Sequence, residues 1–478
     1  MTPASEGLCA ALLLYWVAGA QAAEPVAVGA EKQLFLDGLL VAKLERVALT
    51  MNPPRKTGEA NLVPDRLWEG HRICAYGSVF EDEGVFRMYY DAIANDGSRW
   101  LCYATSKDGL RWEKPDLGLV EFGGTKRTNI LFPPQRAPFE PGCVFRDTNP
   151  ACPPDQRYKA VVSYQPPGGH EGTWVLGSAD GLRFAPLGDG PCFGSSDTGN
   201  VAFWDDRIGK YACYCRMWEP TRKVGRCETA DLTDWGQAQT VFGADDHDPP
   251  GIDFYTNAAA KYPFAANAYF LFPSMYFHYP EPPVGKYRND GPLDIRLAVS
   301  RDGIKWSQVS RKPFVPCGIE GSRDDSALYL LTGMLRRGPE LWMYYAGYDF
   351  THGAYNVGAD RNKGVISRLV QRLDGFVSAD AEYEGGTLTT VPITFAGKRL
   401  ELNCETGVGG AVQVELRGED GKPRPGFALT DADPLRGDSV AKTVTWKGQS
   451  DVSRLAGQVI VLHFRMRDAK LYAFQFQE

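Results

Sequence analysis

One short turn recurs along this chain and limits the folds open to it. It reads Ser106-Lys107-Asp108-Gly109-Leu110-Arg111-Trp112, then Ser178-Ala179-Asp180-Gly181-Leu182-Arg183-Phe184, then Ser300-Arg301-Asp302-Gly303-Ile304-Lys305-Trp306. A variant, Thr229-Ala230-Asp231-Leu232-Thr233-Asp234-Trp235, lies between the second and third, and Gln371-Arg372-Leu373-Asp374-Gly375-Phe376 is a shorter last copy. Successive central aspartates are 72, 51, 71 and 72 residues apart. Each copy follows an alternating, aromatic-rich run: Val85–Ala92, Arg157–Tyr164, Lys210–Met217, Ala268–Tyr276 and Glu340–Tyr348. Asp-Gly between alternating segments is a strong hairpin signal, because glycine takes the positive φ that a tight turn needs. Each unit is therefore expected to be a small antiparallel sheet. It would comprise an inner strand, an aromatic second strand, a third strand, the turn and an edge strand carrying the Trp.

A single four-stranded sheet cannot bury both faces, but several stacked around an axis can. Residues 68–386 allow roughly 64 residues per unit, enough for four strands and a loop. The expected fold is all-β: a five-bladed β-propeller over 68–386 followed by a C-terminal β-sandwich over 387–478. An ordinary sandwich with accidental recurrence competes, and five in-phase copies count against it. Residues 23–67 form a lead-in whose Leu34-Phe35-Leu36-Asp37-Gly38 reads as a strand and turn closing or covering the ring. Beyond Thr387, alternation continues through Leu400–Leu402, Val412–Leu416, Thr443–Trp446 and Val459–Phe464 without the Asp-Gly turn.

Composition agrees with a turn-rich β chain: 52 Gly, 33 Pro and 12% aromatics among 478 residues, with 43% apolar residues excluding disorder. Lys and Arg total 52 against 59 Asp and Glu, and no long basic run occurs, so no nucleic-acid partner is expected. Residues 1–22 read as an export signal. Leu8–Ala20 is apolar, Ala20-Gln21-Ala22 is a small-x-small cleavage site, and Glu6 stands where Lys or Arg is usual. Thirteen residues are too few to span a bilayer comfortably. The mature chain is thus expected to be secreted or periplasmic and free of membrane. Export permits disulfides, and the nearest candidate pairs are Cys143 with Cys152, and Cys213 or Cys215 with Cys227. No C-x-x-C or HExxH indicates zinc.

Ser-x-Asp-Gly-x-x-Trp hairpins in a five-unit ring with a C-terminal sandwich resemble the family 32 and family 43 glycoside hydrolases. More closely, Arg372-Leu-Asp374-Gly375-Phe376-Val-Ser378 and Trp68-Glu69 resemble recurrent pieces of secreted family-32-like proteins of environmental bacteria. The resemblance spans nearly the whole mature chain and implies a five-bladed propeller that handles carbohydrate. The departures lie at the site. The Trp-x-Asn-Asp-Pro-Asn-Gly nucleophile string of family 32 is absent, its Arg-Asp-Pro motif is only echoed by Arg146-Asp147-Thr148, and its Glu-Cys motif by Cys227-Glu228.

Propeller ligands sit over the central channel, at loops entering the inner strands. All five such loops here carry an acid: Glu69, Glu140, Asp197, Asp253 and Asp325. Convergent carboxylates suit glycoside hydrolysis, in which one protonates the leaving oxygen and another activates water or attacks carbon. Asp197 and Asp253 are the expected core, with Asp325, Glu69 and Glu140 nearby. The bland alternative is that acids before strands make Asx-turns. Arg216 could bind a substrate carboxylate or, the favoured reading, pair with a ring acid. Tyr255 and Trp68 could stack on a sugar or be core. His352, Asn200 and Arg72 complete the expected substrate contacts. No cofactor is required, although carboxylates and water could hold a channel Ca²⁺. The expected activity is a glycoside hydrolase acting on a poly- or oligosaccharide. The alternatives are a non-catalytic carbohydrate-binding propeller and a polysaccharide lyase using His352, Tyr255 and Arg216.

Overall fold

The computed structural model describes residues 24–132, 140–165, 170–193, 197, 199–265, 267–281, 289–354 and 364–478, the side chains of Ala75 and Glu140 excepted. The expected export segment, 1–22, lies outside the described residues. Among those described, the chain is all-β with a few short 3₁₀ turns. Among the described residues, no helix is long and apolar enough to cross a membrane.

The repeat units fold as sheets in chain order, giving a β-propeller. The first contains Arg72–Asp82, Val85–Ile93 and Arg99–Ser106, and isolated bridges from Cys102 to Ile130 and from Thr105 to Glu113 mark its edge. The second contains Glu140–Arg146, Tyr158–Tyr164, Gly172–Ser178 and Ala185–Pro186. The third contains Val201–Asp205, Lys210–Trp218, Arg222–Thr229 and Gln239–Phe242. The fourth is split in two. Asp253–Phe254, Ser274–Tyr276 and Leu293–Ile295 form one half, and Ala260–Lys261, Tyr269–Leu271, Ala298–Ser300 and Trp306–Ser307 the other. The last contains Ala327–Leu330, Glu340–Tyr348 and Val365–Arg372, and its outer strand is Arg55–Leu62 from the lead-in segment. The start of the chain thereby completes the last unit and ties the ring shut.

The recurrent turn does more than reverse the chain. Ser106, Ser178 and Ser300 each accept the backbone N–H of the turn glycine, and Asp108, Asp180 and Asp302 each accept the next two N–H groups. The glycine carbonyl then receives a tyrosine hydroxyl from the second strand of the preceding unit around the ring. Tyr89 donates to Gly181 at 3.0 Å, Tyr214 to Gly303 at 2.8 Å, and Tyr344 to Gly109. At Gly181, φ is +77° and an added Cβ would lie 2.7 Å from the Tyr89 hydroxyl. Glycine is therefore required there by both conformation and space.

The lead-in segment also enters the C-terminal sheet, whose order is Val41–Glu45, Gly386–Thr390, Val461–Gln477, Val377–Ala381 and Val47–Met51. The long strand Arg399–Arg417 pairs with both Val461–Gln477 and Asp438–Thr443. Phe35, Leu402, Val414, Phe464 and Phe474 fill its core. Leu34, Leu36 and Ala473 pack with Phe270, Phe272 and Phe376 in a second cluster, which joins this sheet to the propeller.

The expected disulfides are not formed, since none of the ten described cysteines is in a disulfide. Cys143 accepts the Ala202 N–H of the next unit at 3.1 Å, and Cys152 lies 3.2 Å from the Lys159 ammonium. They therefore engage different partners. Cys213 and Cys227 do sit opposite each other on paired strands, as thiols with no disulfide between them.

Candidate functional site

Antiparallel pairing places the start of an inner strand opposite the end of the second strand. The register pairs Arg72 with Ile93, Glu140 with Ser163, Val201 with Tyr214, Asp253 with Tyr276 and Ala327 with Tyr348. Loops entering inner strands and loops leaving second strands therefore share one end of the ring, and the candidate site lies there.

Asp253 is buried at the head of its strand. Its carboxylate accepts the Arg222 backbone N–H at 2.7 Å and the Arg222 guanidinium at 2.5 Å, and lies 2.8 Å from His278 Nε2. Asp197 sits in the loop before the third inner strand with φ +56° and a side chain 42% exposed. It pairs with the buried guanidinium of Arg216. Asn200 donates to the Asp197 carbonyl at 3.3 Å, and Asn257 to the Gly199 carbonyl at 2.8 Å, which fixes the loop.

Both arginines pack on one ring. Arg216 lies 4.1 Å from the Tyr255 ring centre and donates to the Tyr255 carbonyl at 2.6 Å, while Arg222 lies 5.0 Å from the same centre. These are cation–π contacts, strengthened where water is excluded. His352 meets Tyr255 with ring centres 4.6 Å apart, and its Nδ1 lies 2.8 Å from the Tyr329 hydroxyl. Burial first, then the positive charges of Arg72, Arg222 and Arg216, push the His352 imidazole down to about 3. It is therefore a neutral group in a cationic surrounding.

The structure gathers Asp197, Asp253, Arg216, Tyr255, His352, Asn200 and Arg72 at this end. Other expected residues take other roles. Glu69 is fully buried, and its carboxylate takes the Tyr90 hydroxyl, the Lys114 ammonium and the backbone N–H groups of Asp65 and Arg66. It organises a loop rather than facing a ligand. Trp68 is 5% exposed and donates to Asn129, so no face is open for a sugar. Asp325 serves its own turn, accepting from Gly321 N–H and the Ser326 hydroxyl. The Glu140 backbone pairs with Ser163, whose hydroxyl reaches the Asp197 carbonyl at 3.5 Å, while the Glu140 side chain is outside the description. Asp147 lies past the far end of its inner strand, paired with Lys159, and Glu228 ends a third strand against Arg226. Neither motif echo belongs to the site.

Sequence reasoning missed Arg222, His278 and Tyr276. Arg222 begins a third strand, Tyr276 ends a second strand and His278 follows it by two residues, positions that the same antiparallel pairing brings to this end. The donor set does not fit Ca²⁺, because Asp197 and Asp253 face guanidinium groups rather than further oxygen ligands. Among the described residues, no three His, Cys, Asp or Glu form a metal-binding group.

No family model matches the chain, and no curated protein matches it. Solved structures similar to it include one titled glycoside hydrolase, at 12% identity and TM-score 0.45, covering 66% of this chain and 92% of that one. Another is an N-acetylgalactosamine deacetylase from F. plautii in complex with blood group B trisaccharide, at 14% identity and TM-score 0.46, covering 69% and 96%. A third is a beta-1,2-mannobiose phosphorylase from Listeria innocua, at 12% identity and TM-score 0.44, covering 67% and 97%. Likenesses this distant carry nothing about the chemistry of the site.

Proposed function

We propose that this chain is an exported, five-bladed carbohydrate-active propeller that cleaves glycosidic bonds with Asp197 and Asp253. One observation carries the reading. Two carboxylates are each set by an arginine, and both arginines pack on the single ring of Tyr255. Glycoside hydrolysis uses such a pair flanking the scissile bond, one carboxyl protonating the leaving oxygen and the other activating water or attacking carbon. The arginines orient the carboxylates, and the buried rings of Tyr255, Tyr276 and Tyr329 supply a low-dielectric wall in which fixed charges act strongly.

The test is a screen of plant and algal polysaccharides for new reducing ends, with wild type, Asp197→Asn and Asp253→Asn side by side. Each variant is expected to lose on the order of a hundredfold or more in rate. Unchanged rates in both would remove the assignment. Glycan retention without products would indicate a binding module.

A second reading is favoured by the neutral His352 among Arg72, Arg216 and Arg222. An arginine neutralising a uronate carboxylate would acidify the adjacent C5 proton. A base then takes that proton, the bond from C4 to the glycosidic oxygen breaks, and an unsaturated uronate forms. The same screen separates the two, since only elimination gives an ultraviolet-absorbing product.

A further inference from the structure

Trp218 ends the second strand of the third unit and is 57% exposed, the one tryptophan among the large apolar side chains left open on the described surface. An open indole beside a site offers a flat apolar face and a polar N–H edge that a ligand can cover. Its position is tied to the site through a single residue. Arg222 pairs with Trp218 across the hairpin, lays its guanidinium 4.2 Å from the Trp218 ring and grips Asp253 with the same group. The indole is thus backed by a cation that is itself anchored to a candidate catalytic carboxylate. A second open aromatic, Tyr279 at 40% exposed, follows His278 in the adjacent fourth unit, and His278 also contacts Asp253. Two exposed rings therefore leave the site end on neighbouring units, one on each side of Asp253 along the chain path.

We propose that Trp218 is a sugar-stacking residue at the rim of this site, taking the C–H face of a pyranose next to the bond held at Asp253, with Tyr279 extending the same rim. The proposal rests on the glycan-processing reading and adds that the ligand is an oligosaccharide long enough to reach from Asp253 to the indole. A pyranose offers polarised C–H bonds to an aromatic face and hydroxyls to the polar edge, matching a ring that is apolar in front and cation-backed behind. Because the contact is to the face of a flanking sugar and not to the reacting atoms, its energy is expressed as binding held equally in ground and transition states.

The experiment uses the full mature chain and oligosaccharides from xylan, mannan, pectin and alginate. Wild type, Trp218→Ala, Trp218→Leu and Trp218→Phe are compared by initial rates and by calorimetric binding, with thermal melting as a folding control. For any glycan that wild type cleaves or binds, Trp218→Ala and Trp218→Leu are expected to raise KM or Kd about tenfold with kcat within about twofold, and Trp218→Phe to recover most of the loss. Trp218→Leu keeps apolar bulk without a π face, so it decides the matter if Trp218→Ala melts early. KM and Kd within twofold of wild type in both would overturn the stacking role while leaving the carboxylate assignment standing. A wild type that neither binds nor cleaves any glycan in the panel would overturn the reading of the site and the inference with it.

Discussion

The two ends of the ring handle buried acids differently. At the end away from the candidate site, the inner strands of the first three units finish at or beside a buried aspartate that receives a tyrosine hydroxyl from the next unit. Tyr158 donates to Asp82, Tyr211 to Asp147 at 2.8 Å, and Tyr269 to Asp205 at 2.7 Å. The pattern repeats because it performs the same task at these three junctions, locking one sheet to the next. At the site end the acids share no pattern. Asp253 takes Arg222 and His278, Asp197 takes Arg216, Asp325 serves a local turn, and Glu69 is consumed by Tyr90 and Lys114. In a repeat protein, what recurs at each unit is scaffold, and what departs from the repeat is where specialised chemistry can reside. The irregular end is also where the open indole of Trp218 lies.

The largest expected effect tests the scaffold side of this contrast. Asp147 is buried, paired with the equally buried Lys159 at 2.9 Å and capped by Tyr211. Asp147→Asn would strand the Lys159 charge in the interior, so a loss of about 3–5 kcal/mol is expected from the urea midpoint. Glycan affinity of the folded variant should match wild type. An unchanged midpoint with lost binding would reverse the assignment and return the Arg146-Asp147 echo to the site.

Much of this was legible in the chain. The Asp-Gly turns announced hairpins, and their spacing announced the ring, because glycine at positive φ is a local requirement that local sequence displays. Their second task was hidden, since the tyrosine that meets Gly181 lies in another unit, 92 positions earlier. The same limit governs the site. Asp197 and Asp253 could be found by asking what precedes each inner strand. Arg222 could not, because its pairing with Asp253 spans 31 residues and two strands. Glu69 was misread for the opposite reason. It precedes an inner strand as the others do, but the short turn Leu67–Glu69 tucks it inward against Tyr90. The lead-in segment likewise carries no mark showing that Arg55–Leu62 belongs to the last unit, because strand partnership is a property of the closed ring.

A smaller effect sharpens the site side. His352 is held neutral, down to about 3 against an ordinary 6.5, by burial and by Arg72, Arg222 and Arg216. The unfolded chain therefore binds a proton that the folded chain refuses, and stability from this group is complete above about pH 6.5 and falls as pH drops toward 3. Between pH 7 and 4.5 wild type should lose roughly 2 kcal/mol more than His352→Asn in urea titrations. Parallel curves for the two proteins would mean that neither burial nor the arginines hold this ring neutral.

The smallest expected effect concerns one latch between units. Tyr89 is fully buried and donates to the Gly181 carbonyl at 3.0 Å, while the neighbouring Asp180 carbonyl is held separately by Arg87 at 2.9 Å. Tyr89→Phe removes one hydrogen bond and leaves the ring packing and the Arg87 contact in place, so a loss of about 1 kcal/mol is expected. Gly181→Ala attacks the same junction from the other side. It adds a Cβ at φ +77°, 2.7 Å from the hydroxyl, so it should cost more than Tyr89→Phe. Combined, the two should cost less than the sum of their separate effects, because removing the hydroxyl relieves the clash. Full additivity in a double-mutant cycle would show that the turn and the tyrosine stabilise the ring independently, and that the recurrent motif is a hairpin signal alone.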